Sequence, residues 1–339
     1  TTGSYNSGFG RSALLQNITG SNNTAMGYEA LKNNSTASNN TAVGYQAGLS
    51  NTTGVQNTLF GAFAGDALTE GTRNVALGNA ALSSDTLGSR AVAIGGGALL
   101  SQNFTTATDS YNVAIGFTAG NAVTTGVQNT LIGGLAGDAL TDADKNVAIG
   151  YFALSADTLG SKSIAIGNAA LGDQNFTTAT DTFNVAIGQE AGRFVSTGKF
   201  NTLLGGLAGD ALTDADYNVA VGYQALSADT LGSSSVAIGD AALRSQNFTT
   251  ATNAFNVAVG AGAGINVTTG VQNTLIGGLA GDALTSSNNN IAIGYQALST
   301  DTQGTKTIAI GVDALKNQNQ TSNTDTYNVA MGYHAGRDL

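Results

Sequence analysis

The chain has no cysteine, no proline and no tryptophan, a single histidine, and only 10% charged residues across 339 positions. Without cysteine, disulfides and thiolate metal sites are excluded together. Without a second histidine, no His pair of zinc-site spacing can form. Ordinary enzyme domains contain about 25% charged residues and some proline, so this composition belongs to a regular, self-stacking structure. The net charge of −10 opposes nucleic acid, whose phosphates need clustered Lys and Arg, and anionic lipid surfaces for the same reason. No apolar run approaches the ~20 residues of a membrane-spanning helix, which argues against membrane insertion. The longest candidate, Ala91–Leu100, has about half that length. No secretory signal pattern opens at Thr1, which fits a mature chain, a fragment, or a non-secretory route such as virion assembly.

What the chain has in abundance is glycine, 47 residues, and the glycines recur in register. The stretch Asn146-Val-Ala-Ile-Gly-Tyr-Phe-Ala-Leu154 returns at Asn184–Gly192, Asn218–Leu226 and Asn290–Leu298. Aligned on its glycine, nineteen units appear, with anchors running from Gly10 and Gly27 through Gly150 to Gly332. Anchors are 17 residues apart, except for 21 before Gly116, Gly188, Gly260 and Gly332. A super-repeat of 72 residues therefore governs the chain from Gly44 to Gly332. We expect one continuous repeat domain over residues 1–339, with no internal boundary.

Each unit contains a short apolar run with β-branched members (Val147, Ile149), bounded by Asn and Gly, which reads as a strand. A short strand, a glycine bend, a second short segment and a polar return make one coil of a parallel β-solenoid. The fold class is all-β. At one ~4.8 Å strand spacing per coil, nineteen coils predict a rod on the order of 90 Å long.

The columns of the stack divide the work. The residue before the anchor is always apolar, and Ile149 is expected to fill the coil interior. The residue two before is nearly always Ala (Ala148) or Leu (Leu131, Leu203, Leu275). Neighbouring strand residues point to opposite faces, so a strand apolar at both positions is buried on both faces. That predicts a second layer outside the coil, either other copies in a homotrimer or a flattened monomeric solenoid. Gly150 and Ala153 mark positions kept in all nineteen units. Four before the anchor, Asn occurs in fifteen of nineteen units, including Asn146, with Ala91, Ser163, Ser235 and Thr307 preceding each 21-residue step. Stacked Asn side chains predict an internal turn ladder; a glycan- or ice-binding ladder is the alternative. The fourth residue after the anchor cycles Leu, Leu, Gly, Gly (Leu154, Leu171, Gly192, Gly209), predicting a cross-section modulated every two coils.

Runs such as Asn23-Thr-Ala-Met-Gly-Tyr-Glu-Ala-Leu31, Asn40-Thr-Ala-Val-Gly-Tyr-Gln-Ala-Gly48 and Ser235-Val-Ala-Ile-Gly239 resemble the head repeats of YadA-like trimeric autotransporter adhesins. They are equally similar to repeats of phage tail-fibre proteins. The resemblance spans essentially the whole chain. It implies a trimeric, left-handed parallel β-roll engaged in surface attachment or fibre building, at the cell surface, outside the cell or on a virion. It also implies no catalytic residue. The unit here is longer than the roughly 14-residue head repeat, and these 339 residues include no stalk, anchor or chaperone domain, as expected of a segment of a longer fibre.

Chemistry is sparse. His334 lies in the final coil and reads as solvent-facing. Asp66, Asp138, Asp210 and Asp282 recur in Gly-Asp-Ala-Leu, and Asp85, Asp157, Asp229 and Asp301 in a later turn. Four coils separate members of a series by about 19 Å, beyond the ~5–9.5 Å of glycosidase carboxylate pairs. Asp142 and Asp144 near Asp138 suggest calcium, but equivalent segments (Thr69–Thr72, Thr285–Asn288) lack the oxygens, so turn-capping is expected and no metal or cofactor. Gly133-Gly134-Leu-Ala-Gly137 and Gly260–Gly264 are not followed by a helix pattern or Lys-Ser/Thr, so they are read as solenoid glycines. Asn-x-Thr sequons at Asn103, Asn175 and Asn247 have meaning only on a eukaryotic secretory route.

The candidate binding surface is the four-residue insertion, at Gln102–Asp109, Gln174–Asp181, Gln246–Asn253 and, divergently, Gln318–Asp325. Insertions in solenoids often map to the binding face. Phe104, Thr105 and Thr106, Phe176, Thr177 and Thr178, and Phe248, Thr249 and Thr250 are the candidate contacts; alternatively the Phe folds back onto the coil or a neighbouring subunit. In the fourth copy Gln320 replaces it. The expected function is a non-enzymatic structural and adhesive fibre segment meeting a cell-surface glycan or protein by multivalency. A head-to-tail filament and an ice-binding solenoid are the alternatives. An array of Thr (Thr58, Thr130, Thr202, Thr274) occurs from Gly61 onward only every fourth coil.

Overall fold

A computed structural model describes residues 2–339. They form an all-β parallel solenoid of nineteen coils about 17 residues apart. The chain comprises two compact units, Thr1–Ser163 with Asn175–Asp181, and Ile164–Gln174 with Thr182–Leu339. The first contains nine three-residue strands, from Ser7–Phe9 to Val147–Ile149, and the second contains ten, from Ile164–Ile166 to Val329–Met331. Within each unit every strand pairs in parallel with that of the next coil, without slippage: Thr130, Leu131 and Ile132 lie beside Val147, Ala148 and Ile149. Each 21-residue coil brings a pair of two-residue strands, one in the preceding coil and one in the inserted loop, as where Gly88–Ser89 pairs with Thr108–Asp109. Among the described residues no helix is long and apolar enough to cross a membrane.

The turns are tight because the coil is short. Three residues per coil take left-handed backbone, represented by Lys145 (φ 58°), Phe152 (φ 56°) and Leu154 (φ 51°). That conformation costs non-glycine residues roughly 1–2 kcal/mol each, so neighbouring coils must hold them in place. The anchor glycine is a fourth special position. Gly133 has φ 134°, and a Cβ there would lie 2.5 Å from the carbonyl oxygen of Gly150 in the next coil. Both backbone conformation and proximity therefore require glycine.

The column of Ala148 faces the coil interior, where Ala148, Ala153 and Leu154 are fully buried. Ile149 is only half-buried, on the outer face. The expectation that Ile149 fills the interior is thus corrected, and the two strand faces exchange roles. The reason is lumen width. Facing alanines from the strand and from the turn leave room for one leucine, so the bulkier Ile is turned outward. The Leu, Leu, Gly, Gly cycle follows from the same constraint. Where Leu131 replaces the usual Ala, the facing corner is Gly137, and a Cβ there would meet Leu131 Cδ2 and Leu140 Cδ1, each at 2.8 Å. Large and small residues alternate so that each layer holds a constant volume.

From Asn23 to Asn290 the Asn column is internal. Asn146 donates its backbone N–H to Asn129 Oδ1 (3.0 Å) and its Nδ2 to the Gly160 carbonyl (2.9 Å). Its own Oδ1 accepts from the Ser163 N–H (2.8 Å). This is the structural ladder, buried from solvent and closed to ligands. A second Asn column, Asn17, Asn34 and Asn51, is linked side chain to side chain at 2.9 and 2.8 Å. It stops where Leu68 follows, and Asn51 Oδ1 is left without a partner.

Volume compensation predicts a measurable coupling. Leu131→Ala should destabilise by about 2–5 kcal/mol through a cavity, and Gly137→Ala should destabilise by overpacking and backbone strain. The double variant should lose less than the sum of the two, by about 0.5–3 kcal/mol, in urea unfolding. Strict additivity would refute the shared-layer account.

Candidate functional site: the four inserted loops

Each inserted loop is held by one buried carboxylate. Asp85 Oδ1 accepts from the N–H groups of Gly88 (3.0 Å) and Phe104 (3.2 Å), and Oδ2 accepts from Gln102 Nε2 (2.6 Å). Gln102 Oε1 in turn accepts from Asn112 Nδ2 (2.8 Å). The same relay joins Asp229, Gln246 and Asn256, and Asp301, Gln318 and Asn328. Asp157 Oδ1 likewise accepts from the N–H of Gly160 and of Phe176, each at 3.0 Å. Burial pushes the Asp85 carboxyl up, while these hydrogen bonds pull against it.

This relay also accounts for the interrupted Asn column. The residue there, Ala91, Ser235 or Thr307, offers no amide to the next coil. The glutamine fills the opening, with Gln246 Nε2 3.1 Å from Ser235 Oγ and Gln318 Nε2 3.3 Å from Thr307 Oγ1. Sequence reasoning missed this role. The signal was available: Asp85 and Gln102 each stand seven residues after an anchor glycine, one coil apart, and the pair recurs every 72 residues.

Of the candidate contacts, Phe104 is 5% exposed and Phe176 and Phe248 are equally enclosed. They fold back onto the solenoid, the Phe248 ring against Gly232 of the preceding coil, and present no ring to a ligand. Thr105 and Thr106, Thr177 and Thr178, and Thr249 and Thr250 are exposed at the loop tips. In the fourth loop the Gln320 N–H takes the place of the Phe N–H on Asp301 (3.0 Å), so the backbone contact persists without the ring.

The remaining carboxylates cap turns or stand in half-buried corners. Asp142 accepts from Thr125 Oγ1 (2.6 Å) and Asp144 from the Val127 N–H (2.8 Å). Among the described residues no group of three or more His, Cys, Asp or Glu could hold a metal ion. His334 is one-third exposed, stacked on Tyr333 and 3.2 Å from Asp313. The glycine pair Gly133-Gly134 belongs to the coil, with the Tyr151 ring lying over Gly134. No protein-family model matches this chain, and no curated protein is similar to it.

Asp66, Asp138, Asp210 and Asp282 share an enclosed Oδ1 without a hydrogen-bond partner. Burial raises all four carboxyls, Asp210 to about 6, where the negative charge of Glu190 adds to the effect and Arg193 offsets it.

Three outcomes follow. Asp85→Ala leaves the buried N–H groups of Gly88 and Phe104 and the Nε2 of Gln102 without their acceptor, so it should cost about 2–3 kcal/mol and open residues 103–109 to limited proteolysis. Thr105→Ala and Thr106→Ala should each stay within about 0.5 kcal/mol of wild type. The unfolded chain releases the Asp210 proton near 3.8, whereas the fold retains it to about 6. The folded state thus binds more protons between those values, and stability falls as pH rises through them. Asp210→Asn should raise the urea midpoint at about pH 7 and flatten part of the decline between about pH 4 and 6; an unchanged profile would show that the site is not desolvated in solution.

Proposed function

We propose that the chain is a non-enzymatic structural fibre segment that assembles as a homotrimer and presents its loop tips for attachment outside the cell, at a cell surface or on a virion. The observation behind this reading is the outer face of the main strands. Ile132, Ile149, Val221 and Ile293 are half-buried there in a single chain, and Ile187 is 40% exposed. The residues two positions earlier, Val147 and Val219, face the same way. An apolar stripe repeated in coil after coil is larger than the scattered apolar residues that monomers expose, and it suits burial against other subunits. The sequence resemblance to trimeric adhesin heads and tail fibres points the same way.

Among the described residues the buried Asn, Asp85 and Gln102 side chains are engaged in joining one coil to the next and fixing the loops, which supports a structural role. Attachment would be through Thr105 and Thr106 and their equivalents, every fourth coil. Weak contacts repeated on three chains would add by multivalency. The receptor class under this reading is a surface glycan or protein.

Analytical ultracentrifugation provides the test. Wild type should sediment at three times the 33.7 kDa chain mass, and Ile132→Lys with Ile276→Lys should sediment as a monomer with its far-ultraviolet dichroism intact. A wild-type monomer would sink the trimer, and mass growing with concentration would favour end-to-end filaments.

A further inference from the structure

Five residues before each anchor glycine, the coil turns through a left-handed corner, and the corner side chains of successive coils lie on one another. Phe183, Phe200 and Tyr217 stack there with ring centroids 5.7 and 4.9 Å apart. At the inserted loops this column contains a charge clamp. In the first copy the Arg90 guanidinium is 5.4 Å from the centroid of the Tyr111 ring in the next coil and is ion-paired with Asp109. In the fourth, Lys306 Nζ is 5.2 Å from the Tyr327 ring and 2.6 Å from Asp325. The second copy has the pair Lys162–Asp181 at 2.5 Å.

The third copy lacks both charges. Ser234 stands where the others have the cation, and Asn253 where they have the carboxylate. The coil before it carries Tyr217, where the other copies have Arg73, Lys145 and Asn289. Ser234 is therefore flanked along the column by two aromatic rings, Tyr217 and Phe255, which are 59% and 54% exposed.

Two strand spacings separate those ring positions by roughly 9.6 Å. With one aromatic thickness of roughly 3.5–4 Å removed, the gap is about 6 Å. A tetrahedral trimethylammonium group fills it; a flat ring would fit as Phe200 does between Phe183 and Tyr217, but only a cation also takes the place of the Arg90 or Lys306 charge held over a ring in the sister copies. A cation midway would lie about 4.8 Å from each ring, inside the ~6 Å range of cation–π attraction and close to the distances of Arg90 and Lys306 from their own rings. Asn253 offers no carboxylate, so a strongly hydrated primary ammonium would give up water without an ion-pair partner. A quaternary ammonium needs neither a hydrogen bond nor a counter-charge, and aromatic faces suffice for it.

We propose that Tyr217, Ser234 and Phe255 form a slot that binds quaternary ammonium groups of the choline type, taking the place of the missing cation. The slot lies in one chain and does not rest on the fibre reading.

The test titrates the full chain with tetramethylammonium and with choline, following the Tyr and Phe ring protons by NMR. The neutral isostere 3,3-dimethylbutan-1-ol and methyl β-glucopyranoside serve as comparisons. Saturable shifts are expected for the two cations, with the neutral isostere about tenfold weaker, equivalent to about 1.4 kcal/mol. Ser234→Lys with Asn253→Asp, which rebuilds the clamp of the other copies, should abolish binding without lowering the urea midpoint. Phe255→Ala should weaken binding and Tyr111→Ala should not. Once the cations bind, vesicles identify the source: capture by phosphatidylcholine and not phosphatidylglycerol assigns a lipid headgroup, capture by neither assigns a free ligand, and equal or stronger capture by phosphatidylglycerol would overturn the proposal. Equal binding of the neutral isostere, tighter binding of the glycoside, full binding by the rebuilt clamp, or no binding of either cation would overturn the proposal.

Discussion

The hydrogen bond from one coil's buried Asn to the next coil's backbone is the interaction on which everything else depends. A coil of 17 residues has no room for a conventional core, and its corners bend through backbone conformations that cost energy. An Asn such as Asn146 satisfies three groups at once: the carbonyl across its own coil, the N–H of the coil after it, and its own N–H through the coil before. Deep in a low-dielectric interior each of these would be expensive to leave unpaired. Stability in such a stack is largely a sum of nearest-neighbour terms, and the Asn column supplies the polar part of each term.

The 72-residue period follows from what happens when that column is interrupted. An inserted loop must cross the line of the ladder, so the Asn is lost at Ala91 and its equivalents, and a polar group has to bridge the opening. Asp85 and Gln102 do so, and in the same contacts they fix the start of the loop. One coil later the column returns to apolar residues, Val123 and then Leu140, which fill the space opposite Gly120 and Gly137. Polar bridge and apolar filler occupy the same column, seven residues after the anchor, in fixed rotation. The super-repeat is thus one cycle of interruption and recovery.

Much of this was legible from residue spacing, because the anchors, the strand and the four longer coils are visible as periods. The Asn ladder could be read too, since a polar residue recurring beside a buried strand has few other uses. What spacing could not decide was direction. Ala148 and Ile149 are both apolar in every coil, and a period of two says only that they face opposite ways. In most coils the lumen takes the smaller one, and where it takes Leu131 with Ile132 outside, glycine corners make the room; the choice is a matter of volume across the coil. The loops were harder for a similar reason. Phe104 stands out among polar neighbours and invites a contact role, yet its N–H is needed by Asp85 and its ring covers the coil. Asp85 and Gln102 are unremarkable residue types whose meaning lies in being one coil apart.

Departures from the repeat therefore say more than the repeat itself, provided that each is judged against its sister copies. Replacement of Phe by Gln320 in the fourth loop leaves the backbone bond to Asp301 in place, so that departure changes covering and not architecture. The third loop differs in another way. A cation and its carboxylate disappear together, although the corner, the loop and the buried relay around them are unchanged. Loss of one member alone would leave an unpaired charge at the surface; loss of both leaves a neutral gap between two rings at no cost to the stack. An exposed clamp of this kind contributes little to stability, so its removal is tolerated where its retention is not required. Where the surrounding coils are so nearly identical, what distinguishes one corner chemically is the chemistry its two bare rings can accept.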